Sequence, residues 1–307
     1  MQAMKRKLVF VSIAFTVMAM LLSLCRCTRR RQALFPKISS YRLAKTEIDN
    51  GNYALALELI DQYFRDIFEQ EYLGSYGVLV THALPIWMQL NGTYPPSRER
   101  MESLVEKLAG HLRTGEVTEV VLDPKYLEQM NPQGDPQVRR ELVLAAVADY
   151  CFMFQGALGQ QQQVLELFEQ LMAKEPSVAK RVWPSVRDFV FKARRYDIAV
   201  QYVPNWKENC YYLLKKVDKD IQEDPIDRRV YLRTPKYYTG LRTRQLTQFL
   251  DLGLYLGQAE EVREVVSAIL ERGDFEERSF VKYLSVENTP AQDKIPGEPE
   301  ESHESAL

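Results

Sequence analysis

Histidine is almost missing from this 307-residue chain, which has three, at His82, His111 and His303. None stands at metal-ligand spacing from another histidine or from a cysteine, so no metal site is written into contiguous sequence. A G-x-S-x-G elbow, a phosphate-cradling glycine loop and a dinucleotide fingerprint are also lacking, and with them the sequence signs of a cofactor. Acidic residues are plentiful, yet pairs such as Glu166 and Glu169 fall on the polar side of a helical pattern and read as solvated face. A carboxylate pair assembled from distant segments would leave no mark in the sequence. An excess of one charge is lacking too: the formal net charge of −2 argues against bulk nucleic-acid binding through counterion release. Cysteine is scarce. Cys25 and Cys27 end an apolar run, while Cys151 and Cys210 lie on apolar helical faces and read as packed thiols, with one disulfide between them left open.

What remains is ordinary for a folded chain, with 46% hydrophobic and 27% charged residues and length enough for one large or two modest domains. Its first distinctive stretch is Leu8 to Cys25, eighteen residues without charge, proline or glycine, between Lys5-Arg6-Lys7 and the cluster Arg26, Arg29, Arg30 and Arg31. At about 1.5 Å per residue the run just spans a hydrocarbon core of about 30 Å. It exceeds a signal-peptide core and no A-x-A site follows, so an uncleaved single-pass anchor is the first expectation. Leu22-Ser23-Leu24-Cys25 offers a lipoprotein alternative at Cys25, although Leu24 stands where a small residue is usual. The short basic N-terminus favours a body outside the cytoplasm, and the arginine cluster after the run argues the other way.

The body is a succession of amphipathic helical stripes. Ala56, Leu59, Ile60, Tyr63, Phe64, Ile67 and Phe68 recur at three- and four-residue steps after a turn at Asn50-Gly51. A helix carrying Tyr76 to Met88 should be kinked by Pro85, and Asn91 to Ser97 reads as a loop that includes the glycosylation sequon Asn91-Gly92-Thr93. Met101, Leu104, Val105, Leu108 and Leu112 form the next stripe, and Glu116 to Asp135 reads as connecting structure with one helical turn. From Glu141 to Pro204 a pattern is written twice: Val164 overlays Ala199, Phe168 overlays Val203 and Ala148 overlays Trp183, each 35 residues on. Trp206, Cys210, Leu213, Leu214, Val217 and Ile221 make a further stripe, and Trp183 and Trp206 read as core. A last pair runs from about Gln245 to Arg272, turning at Gly257-Gln258. Beyond Asn288 large apolar residues nearly vanish and the tail reads as disordered.

The 35-residue step is close to the period of a helix–turn–helix solenoid. Ala44, Gly51-Asn52-Tyr53 and Ala56, then Gly159 and Pro176, then Trp183 and Ala199 together resemble a tetratricopeptide-type repeat. Phe152 and Val164 depart from it by replacing small residues, and Arg194 stands in place of the turn glycine. The resemblance implies an all-α fold, an α-solenoid of paired antiparallel helices stacked as a right-handed array, with a surface for a protein or peptide partner. The expected organisation is an anchor over 1–31, a helical-repeat domain over 32–287 and an acidic tail over 288–307.

One patch stands out as a candidate binding surface: Arg228, Arg229, Arg233, Lys236, Tyr237, Tyr238 and Arg242, in a segment that also holds Tyr231 and Arg244. Guanidinium forks suit phosphate or carboxylate, and tyrosines add stacking faces and hydroxyl donors. The plainer reading is an exposed polar loop neutralised by Glu223, Asp224 and Asp227. The functional expectation is a membrane-tethered scaffold, with the membrane met through residues 8–25 and no nucleic acid. Its rival is an envelope enzyme acting on a glycan or lipid through carboxylates gathered from separate helices, and a third reading is a subunit completed by a neighbouring chain.

Overall fold

The computed structural model describes residues 40–69, 82–116, 122, 124–223, 235–273 and 275–285. Helix is the one regular structure among these residues, joined by turns, with no strand among them. The expected anchor at Leu8–Cys25 and the tail beyond Asn288 lie outside the described residues, and no described helix is long and apolar enough to cross a membrane. The chain divides into two compact units, Met1–Ser185 and Val186–Leu307.

The first unit holds α1 (40–49), α2 (Tyr53–Glu69), α3 (Leu84–Thr93), α4 (Pro95–Thr114), α5 (Pro124–Met130), α6 (Pro136–Ala157), α7 (Gln161–Lys174) and the first part of α8 (Pro176–Lys192). Its centre is α6. Every residue from Leu142 to Ala148 is buried, so this helix is covered on all sides, with α4 and α7 both packed on it. Asp135 caps it, its carboxylate accepting from the Gln137 N–H at 2.8 Å, and Pro136 occupies the first turn, where no backbone donor is needed. Phe64 of α2, Trp87 of α3 and Phe154 of α6 meet with ring centroids 4.7 to 5.8 Å apart. Asp61 of α2 accepts both Nε and Nη2 of Arg100 on α4, at 3.1 and 2.9 Å. Arg140 of α6 grips Glu175, just past α7, in the same forked way at 3.1 and 2.6 Å.

The second unit holds the rest of α8, then α9 (Tyr196–Tyr202), α10 (Trp206–Glu223), α11 (Pro235–Tyr255) and α12 (Ala259–Arg272). Two short 3-10 turns, Glu277–Ser279 and Val281–Tyr283, follow. Here α10 packs on both α11 and α12. The sequence stripes gave no hint of the closing turns, which bury Phe280 and Tyr283, the tyrosine hydroxyl donating to Asp251 at 2.7 Å.

Four helix-to-helix reversals are built the same way. At Gly51, Gly159, Arg194 and Gly257 the backbone turns left-handed, with φ of 80°, 76°, 55° and 73°. In each, the N–H of that residue donates to the carbonyl three back, and the next N–H reaches the carbonyl five back. The second of these residues, Asn52, Gln160, Arg195 or Gln258, then accepts the first hydrogen bond of the following helix from Ala56, Val164, Ala199 or Val262, all four fully buried. Leu158-Gly159-Gln160 and Leu256-Gly257-Gln258 are the same tripeptide.

Several local expectations change. Asn91 to Ser97 is no loop: α3 runs to Thr93 and α4 starts at Pro95, leaving Tyr94 alone extended, because Pro95 and Pro96 sit in a first helical turn that has no use for their missing donors. Asn91 is correspondingly engaged, its Oδ1 accepting from Ser97 Oγ at 2.6 Å and its Nδ2 pointing at Met101 Sδ at 3.4 Å. Pro85 lies in the first turn of α3 behind a π-type turn at His82–Ala83 rather than in mid-helix, and Met88 faces outward. Connecting structure before Asp135 contains the seven-residue α5, and α11 begins at Pro235, ten residues before Gln245. Cys151 and Cys210 are free and buried, so the disulfide left open by the sequence is not formed.

Two substitutions probe the turns and the packing around them. Arg194 is the one non-glycine at positive φ among the described residues. Arg194→Gly should stabilise the chain by about 1 kcal/mol, read from denaturant midpoints, and a lower midpoint would contradict this turn geometry. A Cβ on Gly253 would lie 2.7 Å from the Trp206 ring and from Val262 Cγ2. Gly253→Ala should therefore cost roughly 1–3 kcal/mol in the same assay.

Candidate functional site

The expected Arg/Tyr patch is only partly on the page. Arg228, Arg229 and Arg233 lie outside the described residues, and Lys236, Tyr237 and Tyr238 fall in the first turn of α11, which makes that part helix rather than loop. Arg242, two turns on, donates from Nη1 to Gln245 Oε1 at 3.0 Å. Its neighbour Arg244 turns toward Asp188 of α8, at 3.6 Å. Asp188 also takes a hydrogen bond from the Gln248 amide at 2.9 Å and lies 3.7 Å from the Arg187 guanidinium. Burial holds Arg187 below the usual guanidinium range, with the positive charge of Arg242 acting in the same direction and Asp188 opposing it. The C-terminal end of the patch is thus partly spent on holding α11 to a carboxylate within its own unit.

A more open recess lies in the first unit, between α4 and α7, and the helical stripes of the sequence did not point to it. Two helical faces make it. On α4, Glu102, Val105, Glu106, Ala109 and Arg113 follow at three- and four-residue steps, and on α7 Gln163, Glu166, Leu167 and Gln170 do the same. Gln155, from the last turn of α6, and Gln160, at the reversal, close one end. The groove measures about 390 Å³ and continues toward the C-terminal ends of α4 and α7 into a smaller recess of about 100 Å³. Its floor is Val105, Ala109 and Leu167, all buried.

Its polar atoms set its chemistry. Gln155 is 4% exposed, and its Oε1 is buried with no hydrogen-bond partner among the described residues. A buried amide oxygen left unmet costs on the order of 1–3 kcal/mol. Around the mouth stand three carboxylates, Glu102, Glu106 and Glu166, and one cation, Arg113. Arg113 donates to Glu106 at 2.7 Å, an exposed pair whose hydrogen bond holds Glu106 below the usual carboxylate range. Glu102 is met by Arg98 of its own helix at 2.9 Å, and Glu166 accepts from the Gln162 amide of its own helix at 3.1 Å.

The histidines take no part in such a site. His82 stacks on Tyr41 with centroids 6.1 Å apart, His111 Nδ1 lies 2.8 Å from the Glu116 carbonyl, and His303 is outside the described residues. Among the described residues no three His, Cys, Asp or Glu gather as metal ligands would. Trp206 is buried as the sequence suggested, whereas Trp183 is half-buried against Phe168 at 6.2 Å. One carboxyl is held far from its ordinary state: Asp149 of α6, pushed up to about 6 by burial, which the hydrogen bond from Ser185 Oγ at 2.6 Å only partly offsets. Between pH 3.8 and about 6 the folded chain keeps an Asp149 proton that the unfolded chain has lost, so this group's contribution to stability falls as pH rises through that window. Asp149→Asn keeps an oxygen for Ser185 and should gain about 2 kcal/mol over the native chain near pH 7. Urea melts across the window should show that gap opening with pH, and a constant gap would contradict the assignment.

No protein-family model, curated protein or solved structure matches the chain.

Proposed function

We propose that this chain is a membrane-tethered scaffold of paired helices that holds a protein or peptide partner. The observation that carries the reading is the repeated reversal: four helix pairs turn on the same left-handed residue and the same two backbone hydrogen bonds, each setting a buried residue five positions on. Two of those turning residues, Gly159 and Arg194, are 35 residues apart, the step that resembles tetratricopeptide-type repeats. Helix pairs stacked neighbour on neighbour offer long surfaces of side chains rather than one enclosed reaction centre. The uncharged run Leu8–Cys25 supplies the tether, with acylation at Cys25 as the alternative means of attachment.

Two surfaces serve the scaffold on this reading, the groove between α4 and α7 and the basic stretch from Arg228 to Arg244. Cross-linking the full-length chain in its native membrane should recover a defined set of partner proteins, and recovery of none would remove the scaffold reading. Reversing the charge of Arg228, Arg229 and Arg233 together should weaken capture of a partner through an acidic segment. Unchanged capture would take that stretch out of the account. Reporters fused after Leu307, one active only outside the cytoplasm and one only inside, assign the side on which partners are sought.

A further inference from the structure

The two hairpins that share the Leu-Gly-Gln tripeptide allow a comparison within the molecule. Aligned on Gly159 and Gly257, α6–α7 and α11–α12 place Gln160 with Gln258, Val164 with Val262 and Glu166 with Glu264. In the second unit a neighbouring helix satisfies these positions. Trp206, the first residue of α10, lies against Val262 and donates its indole N–H to Gln258 Oε1 at 2.5 Å. Lys207, the next residue, brings its ammonium to Glu264 at 2.6 Å, and that ion pair holds the glutamate below the usual carboxylate range. The hairpin thus presents an amide oxygen and a carboxylate one helical turn and a half apart, and α10 answers them with a neutral N–H and a cation.

In the first unit Val164 is buried as well, but the two polar positions, Gln160 and Glu166, have no counterpart of Trp206 or Lys207 among the described residues. The helix packed on this hairpin is α4, and toward the groove it presents Glu102 and Glu106, with Arg113 bonded to Glu106. Among the described residues no cation bridges to Glu166, which accepts from the amide of Gln162. Gln155 lines the same end of the groove, its Oε1 buried and without a donor among the described residues. The one cation in the groove lining, Arg113, is bonded to Glu106, so nothing among the described residues takes the places of the Trp206 indole and the Lys207 ammonium, and the floor is apolar at Val105, Ala109 and Leu167.

We propose that this groove receives an extended segment of a partner polypeptide bearing lysine or arginine. Main-chain N–H groups of the segment meet Gln160 and Gln163, and a basic side chain meets Glu166. An extended chain suits the site because amide side chains both donate and accept, as a peptide backbone does, and Gln163 and Gln170 continue the amide lining along α7. A site of about 390 Å³ admits a few residues, with the recess toward the helix ends taking a side chain of the next. With Glu102 met by Arg98 and Glu106 by Arg113, Glu166 is the carboxylate left without a cation, and it disfavours an acidic segment. The proposal rests on the scaffold reading and names the chemistry of one of its partners.

The test uses the full-length chain and an array of randomised peptides of about ten residues, long enough to run past the groove when extended. The array has three sets, with fixed lysine or arginine, fixed glutamate, or neither. Binding should concentrate in the basic set. Glu102→Lys with Glu166→Lys, both at the rim where folding is little affected, should reduce it roughly tenfold or more. Gln160→Ala, with folding checked by its thermal melt, should also reduce binding, and Gln163→Ala serves as a second amide variant should Gln160→Ala unfold. Equal binding of all three sets, binding concentrated in the acidic set, or basic-set binding untouched by the rim reversal would each overturn the proposal. If no peptide binds while cross-linking still recovers partners from both the native and the rim-reversed chain, the groove assignment falls and the scaffold reading stands. If cross-linking recovers nothing as well, both fall.

Discussion

The helix pairs of this protein depend on one backbone constraint, a single residue that must take positive φ where the first helix ends. With that residue left-handed, the last carbonyls of one helix are satisfied by the two N–H groups that follow, and the chain re-enters a helix within three residues. Glycine meets the constraint without strain at 51, 159 and 257, and Arg194 meets it at a cost that packing on either side must cover. Because the reversal fixes where the second helix begins, it also fixes which residue goes into the core. Ala56, Val164, Ala199 and Val262 are buried for that reason, whatever their size.

Around these reversals the two units solve their packing differently. In the first, α6 is enclosed on all sides and serves as the post on which α4 and α7 lean, with forked arginine pairs, Arg100 on Asp61 and Arg140 on Glu175, tying neighbours at their ends. Since each guanidinium is partly open to water, these pairs fix direction more than they add stability. In the second, an indole and an ammonium from consecutive residues of α10 lock onto the α11–α12 hairpin, and a late tyrosine, Tyr283, closes over Asp251. Burial and the nearby Asp251 charge raise the Tyr283 hydroxyl, so it stays a donor, and burial likewise raises Asp251.

Much of this was legible from periodicity. The stripes at Met101, Val105, Leu108 and Leu112 and at Val262, Val265, Val266 and Ile269 are buried as their spacing requires, and Gly51, Gly159 and Gly257 mark turns. What misled was punctuation. Pro95 and Pro96 read as loop because proline is rare inside helices, yet at a first turn it starts them, and the same holds for Pro235 at the head of α11. Arg194 read as a departure from the turn, although the backbone there follows the glycine pattern. The groove escaped notice for another reason: its faces come from segments some sixty residues apart, and glutamines on a polar helical face look alike whether they meet water or a recess. The repeated Leu-Gly-Gln was the signal that could have led to it, by aligning Gln160 with a residue whose partner is visible.

The two buried thiols bear on where such a body can live. Burial pushes both Cys151 and Cys210 up to about 12, so the nucleophilic thiolate is scarce at any physiological pH. Neither sulfur is paired, and neither is reachable by an oxidant or a disulfide carrier while the helices around it stay closed. The folded core is in that sense redox-blind: it needs no oxidising compartment to hold together and takes no harm from one.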